Sequence, residues 1–187
     1  YNNPGKPHDV VHGWKDIPLN TKGRDQAKEL GELLKNKNVD ELYSSNLKRA
    51  SQTAHIISNI IGVPDKSQTA FRPWNLGEFA GHSSHDVIPK LKPYMTTKKD
   101  QPVNGGESFN DFENRFIPAL ENLLKKAEAG KTIVLVTHSR NLEFAQGWLS
   151  GSAHRKKVDI DAISEDKIDP ATVIKITRNA KTGKWMQ

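Results

Sequence analysis

Apolar residues recur at strand and helix spacings along the chain, and they predict alternating strands and helices. Ile133–Val136 is a short run of mostly β-branched residues, typical of a strand that is buried on both faces. Helical spacing from Asn141 to Leu149 predicts an amphipathic helix directly after that strand. The same order occurs earlier, with a strand at Val39–Tyr43 closed by two serines and a helix over residues 46–61. This alternation predicts an α/β fold, a three-layer sandwich of a mainly parallel sheet with helices on both faces.

Other elements follow from the same patterns and from their end signals. They are a helix from a Thr21 cap to about Asn36, a polar helix over 84–91, a long helix over 108–129 and strands at 172–177 and 184–186. Ser108 with Asp111 three residues later is typical of a capping box. Gly62 and Gly130 are expected to end the helices that precede them. Ser45 or Asn46 is expected to cap the helix over 46–61.

Residues 68–81 are rich in turn-forming and aromatic residues and are predicted to form a loop. Its aromatic side chains are expected to pack on the core: Phe71, Trp74 and Phe79. Arg72 and Glu78 in this loop are candidates to face a crevice at the strand ends. The charged segment Ser152–Asp169 is predicted to be irregular.

Composition narrows the classes of function. At 187 residues the chain fits a single domain, 1–187, and it contains no apolar run long enough to span a membrane. The absence of cysteine excludes disulfides and thiolate metal sites and is compatible with a cytoplasmic location. A net charge of +6 suggests an anionic partner, but the lysines are scattered in pairs, which disfavours nucleic-acid binding.

Two residues are candidates for an anion site. His138 follows the strand Ile133–Val136, and Ser139 comes next, just before the predicted helix, at the place where ligands of open α/β sheets bind and free N–H groups favour an anion. Arg49 lies in the first predicted turn of its helix, where the helix dipole disfavours a cation unless an anion is bound there. The alternatives are a strand-end histidine satisfied by the backbone and a solvated surface arginine. Together the two predicted strand–helix pairs suggest one anion site built from Arg49, His138 and helix N-termini.

Four stretches, in order and at consistent spacing, give the chain a family resemblance. They are residues 13–27, 42–54, 105–108 and 136–139. With them, the chain resembles the histidine phosphatase superfamily, branch 1, the phosphoglycerate-mutase-like group. The resemblance covers about residues 1–150 and implies the fold of that family.

The resemblance also implies a chemistry. In the family, a histidine in an Arg-His-Gly motif attacks phosphorus, and a second histidine and two arginines surround the phosphate. Arg49 matches the second pocket arginine and His138 the second pocket histidine, while Asn2 matches an asparagine that touches phosphate. Fixed cations stabilise the charge on the equatorial oxygens during transfer. The implied function is hydrolysis of the phosphate monoester of a small molecule, without a metal or other cofactor.

The chain departs from the family at the nucleophile. No Arg-His-Gly occurs in it, and the chain begins with Tyr1, just past the expected position of that motif. His12 stands where the family has glutamine, so it is not expected to be the nucleophile. We expect the attacking histidine on an N-terminal strand outside these 187 residues, and the lack of that strand to leave an apolar slot and unpaired backbone.

The general acid is the second departure. The family's acid follows the arginine that Arg72 matches, and this chain has Pro73 there. Glu78 is the nearest substitute, with Asp86 and Glu107 behind it. An exposed glutamate in a turn, without a role, is an equally good interpretation of Glu78.

Three functions therefore stay open. Hydrolysis is favoured over mutase chemistry because no segment is identifiable that would retain a bisphosphorylated intermediate. A non-catalytic phosphate-binding module that has lost its nucleophile is the alternative, and nucleic-acid binding rests on charge alone. The predicted edge strand at 184–186 is a candidate for pairing in a homodimer.

Overall fold

The computed structural model describes residues 10–149, 171–179, 182 and 185–186. The chain divides into two compact units, Tyr1–Thr137 and His138–Gln187. In the first unit the elements are α1 (Thr21–Leu34), β1 (Glu41–Ser45), α2 (Lys48–Ile61), β2 (Asp65–Gln68), α3 (Ser84–Thr96), α4 (Phe109–Glu128) and β3 (Ile133–Val136). Short 3-10 helices lie at Thr69–Phe71 and Gly77–Phe79. The second unit contains α5 (Ser139–Leu149), β4 (Thr177–Arg178) and β5 (Trp185–Met186).

The sheet of the first unit is parallel, as predicted, with the strand order β2-β1-β3. Leu42 of β1 lies opposite Asp65 on one side and Val134 on the other. All five residues of the central strand β1 are buried. The four residues of β3 are only half-buried, so the prediction of a strand buried on both faces is wrong for the part of the chain that is described. The physical reason is that β3 pairs there with β1 alone.

Alternating side chains of β1 show the layers on the two faces of the sheet. Leu42 packs in an apolar cluster with Ala54 and Ile57 of α2, which leucines of α1 complete. Tyr43 points the other way, because successive strand residues face opposite sides. There it stacks edge-on against Phe71 and accepts a hydrogen bond from Lys126 of α4. Helices therefore cover both faces, and the predicted three-layer α/β arrangement is confirmed.

Helix ends that carry a local signal occur where they are predicted. Ser108 and Asp111 form both hydrogen bonds of a capping box at the start of α4. Gly62 follows α2 with a φ of 75° and Gly130 follows α4 with a φ of 90°, both in the left-handed region that glycine favours. The predicted capping box of α4 and the predicted glycine ends of α2 and α4 are therefore confirmed.

Several predicted boundaries need correction. The cap of α1 is Asn20, not Thr21, because the Asn20 side chain accepts the Gly23 N–H at 2.8 Å. Strand β1 extends through Ser45, and the residue in the cap position of α2 is Leu47, whose side chain makes no capping bond. Helix α3 continues to Thr96 through two prolines rather than ending near residue 91.

The strands outside the sheet core are the least well predicted. Strand β2 was not expected, because its sequence Asp-Lys-Ser-Gln has no apolar pattern and three of its four residues are exposed. The predicted strand over 172–177 is wrong for residues 172–176, because strand pairing in the described part of the chain is confined to Thr177–Arg178 against the two residues of β5. In the aromatic loop, Phe71 and Trp74 are buried as expected, whereas Phe79 is only half-buried. Ser152–Asp169 lies outside the described residues.

No helix among the described residues is long and apolar enough to cross a lipid bilayer.

Candidate functional site

Arg49 is the second residue of α2, at the end of the turn that leaves the carboxyl end of β1. Its guanidinium is half-buried and donates hydrogen bonds to two backbone carbonyls, Lys15 O at 2.8 Å and Gly13 O at 3.0 Å. A guanidinium carries five N–H donors, so three of them have no partner among the described residues. Burial lowers the pKa of Arg49 to about 10, and the charge of Asp16 opposes that shift. Arg49 is therefore a cation at neutral pH, and it has N–H donors that no described residue uses.

The loop over residues 12–16 lies against this arginine. Gly13 has a φ of 48°, a backbone conformation that glycine adopts without strain, and its carbonyl accepts from Arg49. Burial, and then the charge of Arg49, lower the pKa of His12. His12 is consequently neutral at pH 7, and it lies in the loop beside Arg49.

Arg72 lies at the same end of β1. Its Nε donates to the side chain of Asn46 at 2.6 Å, and Asn46 directly follows β1. The guanidinium of Arg72 stacks on the ring of Trp14, 4.6 Å from the centroid. Within the first unit, two arginines thus lie near the carboxyl end of the central strand, the end at which ligands of such sheets bind.

Arg115 is a residue that sequence reasoning missed. It contacts the carboxylate of Glu107 with two nitrogens, at 2.6 and 3.1 Å, and it also donates to four carbonyls of residues 69–73. Its ring neighbours are Trp14 and Phe112. The only signal in the sequence is a charged residue placed between the buried Phe112 and Phe116, and it does not reveal the partner.

This pair bears on the question of the general acid. The carboxylate of Glu107 accepts hydrogen bonds from Arg115 and from the N–H of Asn75, so it has a structural role in linking α4 to these loops. Pro73 is buried, and its carbonyl accepts from Trp14 and from Arg115, each at 2.7 Å. Glu78 is exposed on a 3-10 helix, where its carboxylate accepts from Asn104 at 2.8 Å. Glu78 and Asp86 line one open groove together with Phe79, His82, Val87 and Lys90.

The second unit contains two further candidates, His138 and Ser139. Ser139 begins α5, and the carbonyl of His138 accepts the N–H groups of Asn141 and Leu142, so His138 precedes the helix as predicted. In the same helix Arg140 donates to Glu143 at 2.7 Å, and burial raises the pKa of Glu143. Asn2 lies outside the described residues. No group of three or more potential metal ligands occurs in the described ranges.

Comparison with known proteins shows which protein family the chain matches. The family model of the histidine phosphatase superfamily, branch 1, matches residues 4–185. Phosphoglycerate mutase-like protein 4 of Arabidopsis thaliana is 33% identical over 135 residues, which cover 68% of this chain and 58% of the plant protein. A broad-specificity phosphatase of Saccharomyces cerevisiae is 27% identical over 154 residues, covering 78% of this chain and 65% of the yeast protein. The chain thus spans about six tenths of the length of these relatives.

Among solved structures, YhfR of Bacillus stearothermophilus has the same fold, with a TM-score of 0.73 and 23% identity. The match covers 95% of this chain and 86% of that one.

Proposed function

Because the chain belongs to the histidine phosphatase superfamily, branch 1, we propose that it hydrolyses a phosphate monoester of a small molecule through a phosphohistidine intermediate. An imidazole nitrogen attacks phosphorus, and the P–O bond to the alcohol breaks as that oxygen takes a proton. Water then attacks the phosphohistidine and releases inorganic phosphate. The proposal assigns the attack to a histidine of an Arg-His-Gly motif, which the 187 residues do not contain. A cytoplasmic location forms part of the same proposal.

The observation that carries the proposal is the state of Arg49. Arg49 is a half-buried guanidinium with three N–H donors that no described residue uses, so an anion can complete its hydrogen bonds. Phosphoryl oxygens suit it, because the planar guanidinium can donate two parallel bonds to them. In the proposal Arg49 and His138 bind the phosphoryl group and stabilise the charge that it spreads over its equatorial oxygens.

The remaining candidates have secondary roles in the proposal. Arg72, Ser139 and Asn2 add donors to the phosphoryl oxygens, and Glu78 protonates the leaving oxygen. Glu78 suits that role by its exposure and its place in an open groove, into which a leaving alcohol could extend. The yeast relative is described as a broad-specificity phosphatase and the plant relative as mutase-like, and hydrolysis is the simpler of the two chemistries for this chain.

Turnover of phosphate esters and formation of an acid-labile phosphoenzyme test the proposal. The protein is purified at full length, and its intact mass shows whether an Arg-His-Gly segment is present. Arg49→Ala should reduce turnover by about 10²–10³-fold, the usual effect of removing one charge-stabilising donor. Arg24→Ala, an exposed arginine of α1, is the matched control and should leave turnover unchanged. If protein that contains the motif is never phosphorylated by any donor, the proposal is wrong.

A non-catalytic phosphate-binding module is the second candidate, and Pro73 is the observation that favours it. Proline cannot donate a proton, and here it is buried with its carbonyl fixed by two donors. In this case Arg49 and His138 hold a phosphorylated ligand without cleaving it. Phosphate binding that is lost in Arg49→Ala, without turnover, would support the module. Turnover that disappears in His138→Ala would exclude it.

A further inference from the structure

Helix α2 begins without a local cap. Leu47 stands in the cap position, and its apolar side chain cannot accept the first N–H groups of the helix. The acceptor comes instead from 32 residues earlier in the chain: Asp16 Oδ1 accepts the Lys48 N–H at 2.6 Å. That hydrogen bond is the largest cause of the lowered pKa of Asp16, so the group is an anion at neutral pH. Asp16 thus supplies the N-terminal cap of α2 from a separate loop.

The same loop holds the guanidinium of Arg49. Its carbonyls at Gly13 and Lys15 accept from the two terminal nitrogens of Arg49, and Asp16 is the next residue along. Three hydrogen bonds therefore join residues 13–16 to the first two residues of α2. Both carbonyl contacts lie on the terminal nitrogens, so the orientation of the guanidinium depends on the position of this loop.

We propose that Asp16 is a positioning residue for the anion site, because it fixes the loop whose carbonyls orient Arg49 toward the phosphoryl group. This inference rests on the proposed function, in which Arg49 binds that group. The ion pair of Asp16 with the Lys48 side chain is a minor part of the effect, since its atoms are 3.5 Å apart and both side chains are about half exposed.

Asp16 also has an electrostatic effect of the opposite sign on anion binding. Its negative charge favours the charged form of Arg49, and the same charge repels an anion that binds there. Asparagine keeps an oxygen that can accept the Lys48 N–H, but it has no charge. The two roles are therefore separable, because Asp16→Ala removes both the hydrogen bond and the charge, whereas Asp16→Asn removes the charge alone.

Calorimetric titration of the full-length protein with inorganic phosphate at low ionic strength separates these roles. Asp16→Ala should weaken phosphate binding by at least about fivefold and by no more than about 30-fold, the upper limit being the full free energy that the cap contributes to holding the loop in place. Asp16→Asn should bind phosphate as tightly as the wild type, or up to about threefold more tightly, since a repulsive charge is gone. Three residues after the loop, the Leu19 N–H donates to the Gln52 side chain at 2.9 Å, and because this hydrogen bond remains, neither substitution should unfold the segment.

Asn20→Ala is the matched control, because Asn20 caps α1 through a single bond to the Gly23 N–H. It should lower the melting temperature about as much as Asp16→Ala does, without changing the affinity for phosphate.

The outcomes distinguish the inference from the function on which it rests. If Arg49→Ala abolishes phosphate binding while Asp16→Ala binds like the wild type, Asp16 does not position the site. Equal weakening by Asp16→Ala and Asp16→Asn would also overturn the inference, because the hydrogen bond would then be irrelevant. If the wild type binds no phosphate, or Arg49→Ala binds it unchanged, the proposed anion site fails and the role of Asp16 fails with it.

Discussion

Arg115→Ala should destabilise the protein more than any surface substitution, because the guanidinium of Arg115 joins α4 to the loops around Pro73. It makes two hydrogen bonds with the Glu107 carboxylate and contacts carbonyls of residues 69–73 at 2.7 to 3.4 Å. The side chains of Arg115 and Glu107 are only 19% and 14% exposed. Alanine would remove the only cationic donor that the described residues give the Glu107 carboxylate, which would keep the Asn75 N–H alone, and would take one donor from each of the four carbonyls in a largely dry site.

The magnitude follows from that burial. Breaking a buried ion pair by removing one partner costs about 3–5 kcal/mol, and water can replace only part of the loss at this exposure. In a chain of this length, 1 kcal/mol corresponds to about 2–4 °C, so the melting temperature should fall by about 6–20 °C. Urea unfolding of the wild type and the variant measures the free energy directly. Glu107→Ala should cost a similar amount, and the double variant should cost less than the sum of the two.

An exposed ion pair of the same chain is the control. Lys28 and Asp25 are 3.1 Å apart with side chains 64% and 58% exposed, so Asp25→Ala should change the unfolding free energy by less than about 0.5 kcal/mol. A loss of under about 1 kcal/mol in Arg115→Ala would refute the reasoning, since it would mean that water satisfies the partners of Arg115.

Two further predictions concern the scaffold. Gly77→Ala should lower the unfolding free energy by at least about 2 kcal/mol, because φ is 48° and the new Cβ would lie 2.0 Å from Asn104 O. Gly62→Ala, with a φ of 75° and no atom within 4 Å of the new Cβ, should cost less, and equal losses in urea unfolding would contradict this account. Glu41 accepts hydrogen bonds from Lys131, Lys66, Tyr43 and Lys126, and these lower its pKa from the ordinary 4.5. Because the pKa of Glu41 is lower in the folded state, its carboxylate stabilises the protein at pH values above the ordinary pKa, and this stabilisation is lost as the pH falls below that value. Glu41→Gln should therefore have a lower melting temperature than the wild type at pH 7, and its stability should fall less in acid. An unchanged acid dependence of the melting temperature would count against that role.

The sequence predicted the parts of the fold that have local causes. The capping box of α4 lies within four residues, and the glycines after α2 and α4 need only their own backbone conformation. The apolar residues of α2 and β1 share one cluster. Both elements could be predicted because the helix period and the strand period of these residues are visible in the sequence. Such features do not depend on what the rest of the chain does.

The features that were missed depend on partners far away in the sequence. The cap of α2 comes from Asp16, and Arg115 bonds to carbonyls more than 40 residues earlier. Strand β2 has no apolar residue to mark it and exists because β1 offers a partner edge. The segment 172–177 has the composition of a strand, but among the described residues its strand pairing is limited to Thr177. Periodicity reports which face of an element is apolar, not which partner it meets.

The candidate site shows the same division. The sequence predicted that Arg49 lies in the first turn of its helix, which is confirmed, whereas the carbonyls that hold its guanidinium belong to a loop without any pattern. The roles of His138, Ser139, Arg72, Glu78 and Asn2, the single domain and a homodimer stay predictions.

Calorimetric titration of inorganic phosphate into the wild type, Arg49→Ala and Arg24→Ala tests the central claim most directly. The claim is that Arg49 keeps donors for a phosphoryl group. The account predicts that the wild type and the exposed-arginine control Arg24→Ala bind phosphate alike. Binding to Arg49→Ala should be weaker by at least about tenfold, the effect of losing one charge-assisted hydrogen bond of about 1.5–3 kcal/mol. Equal affinity in all three proteins would contradict the account, since the guanidinium of Arg49 would then play no part in binding the anion.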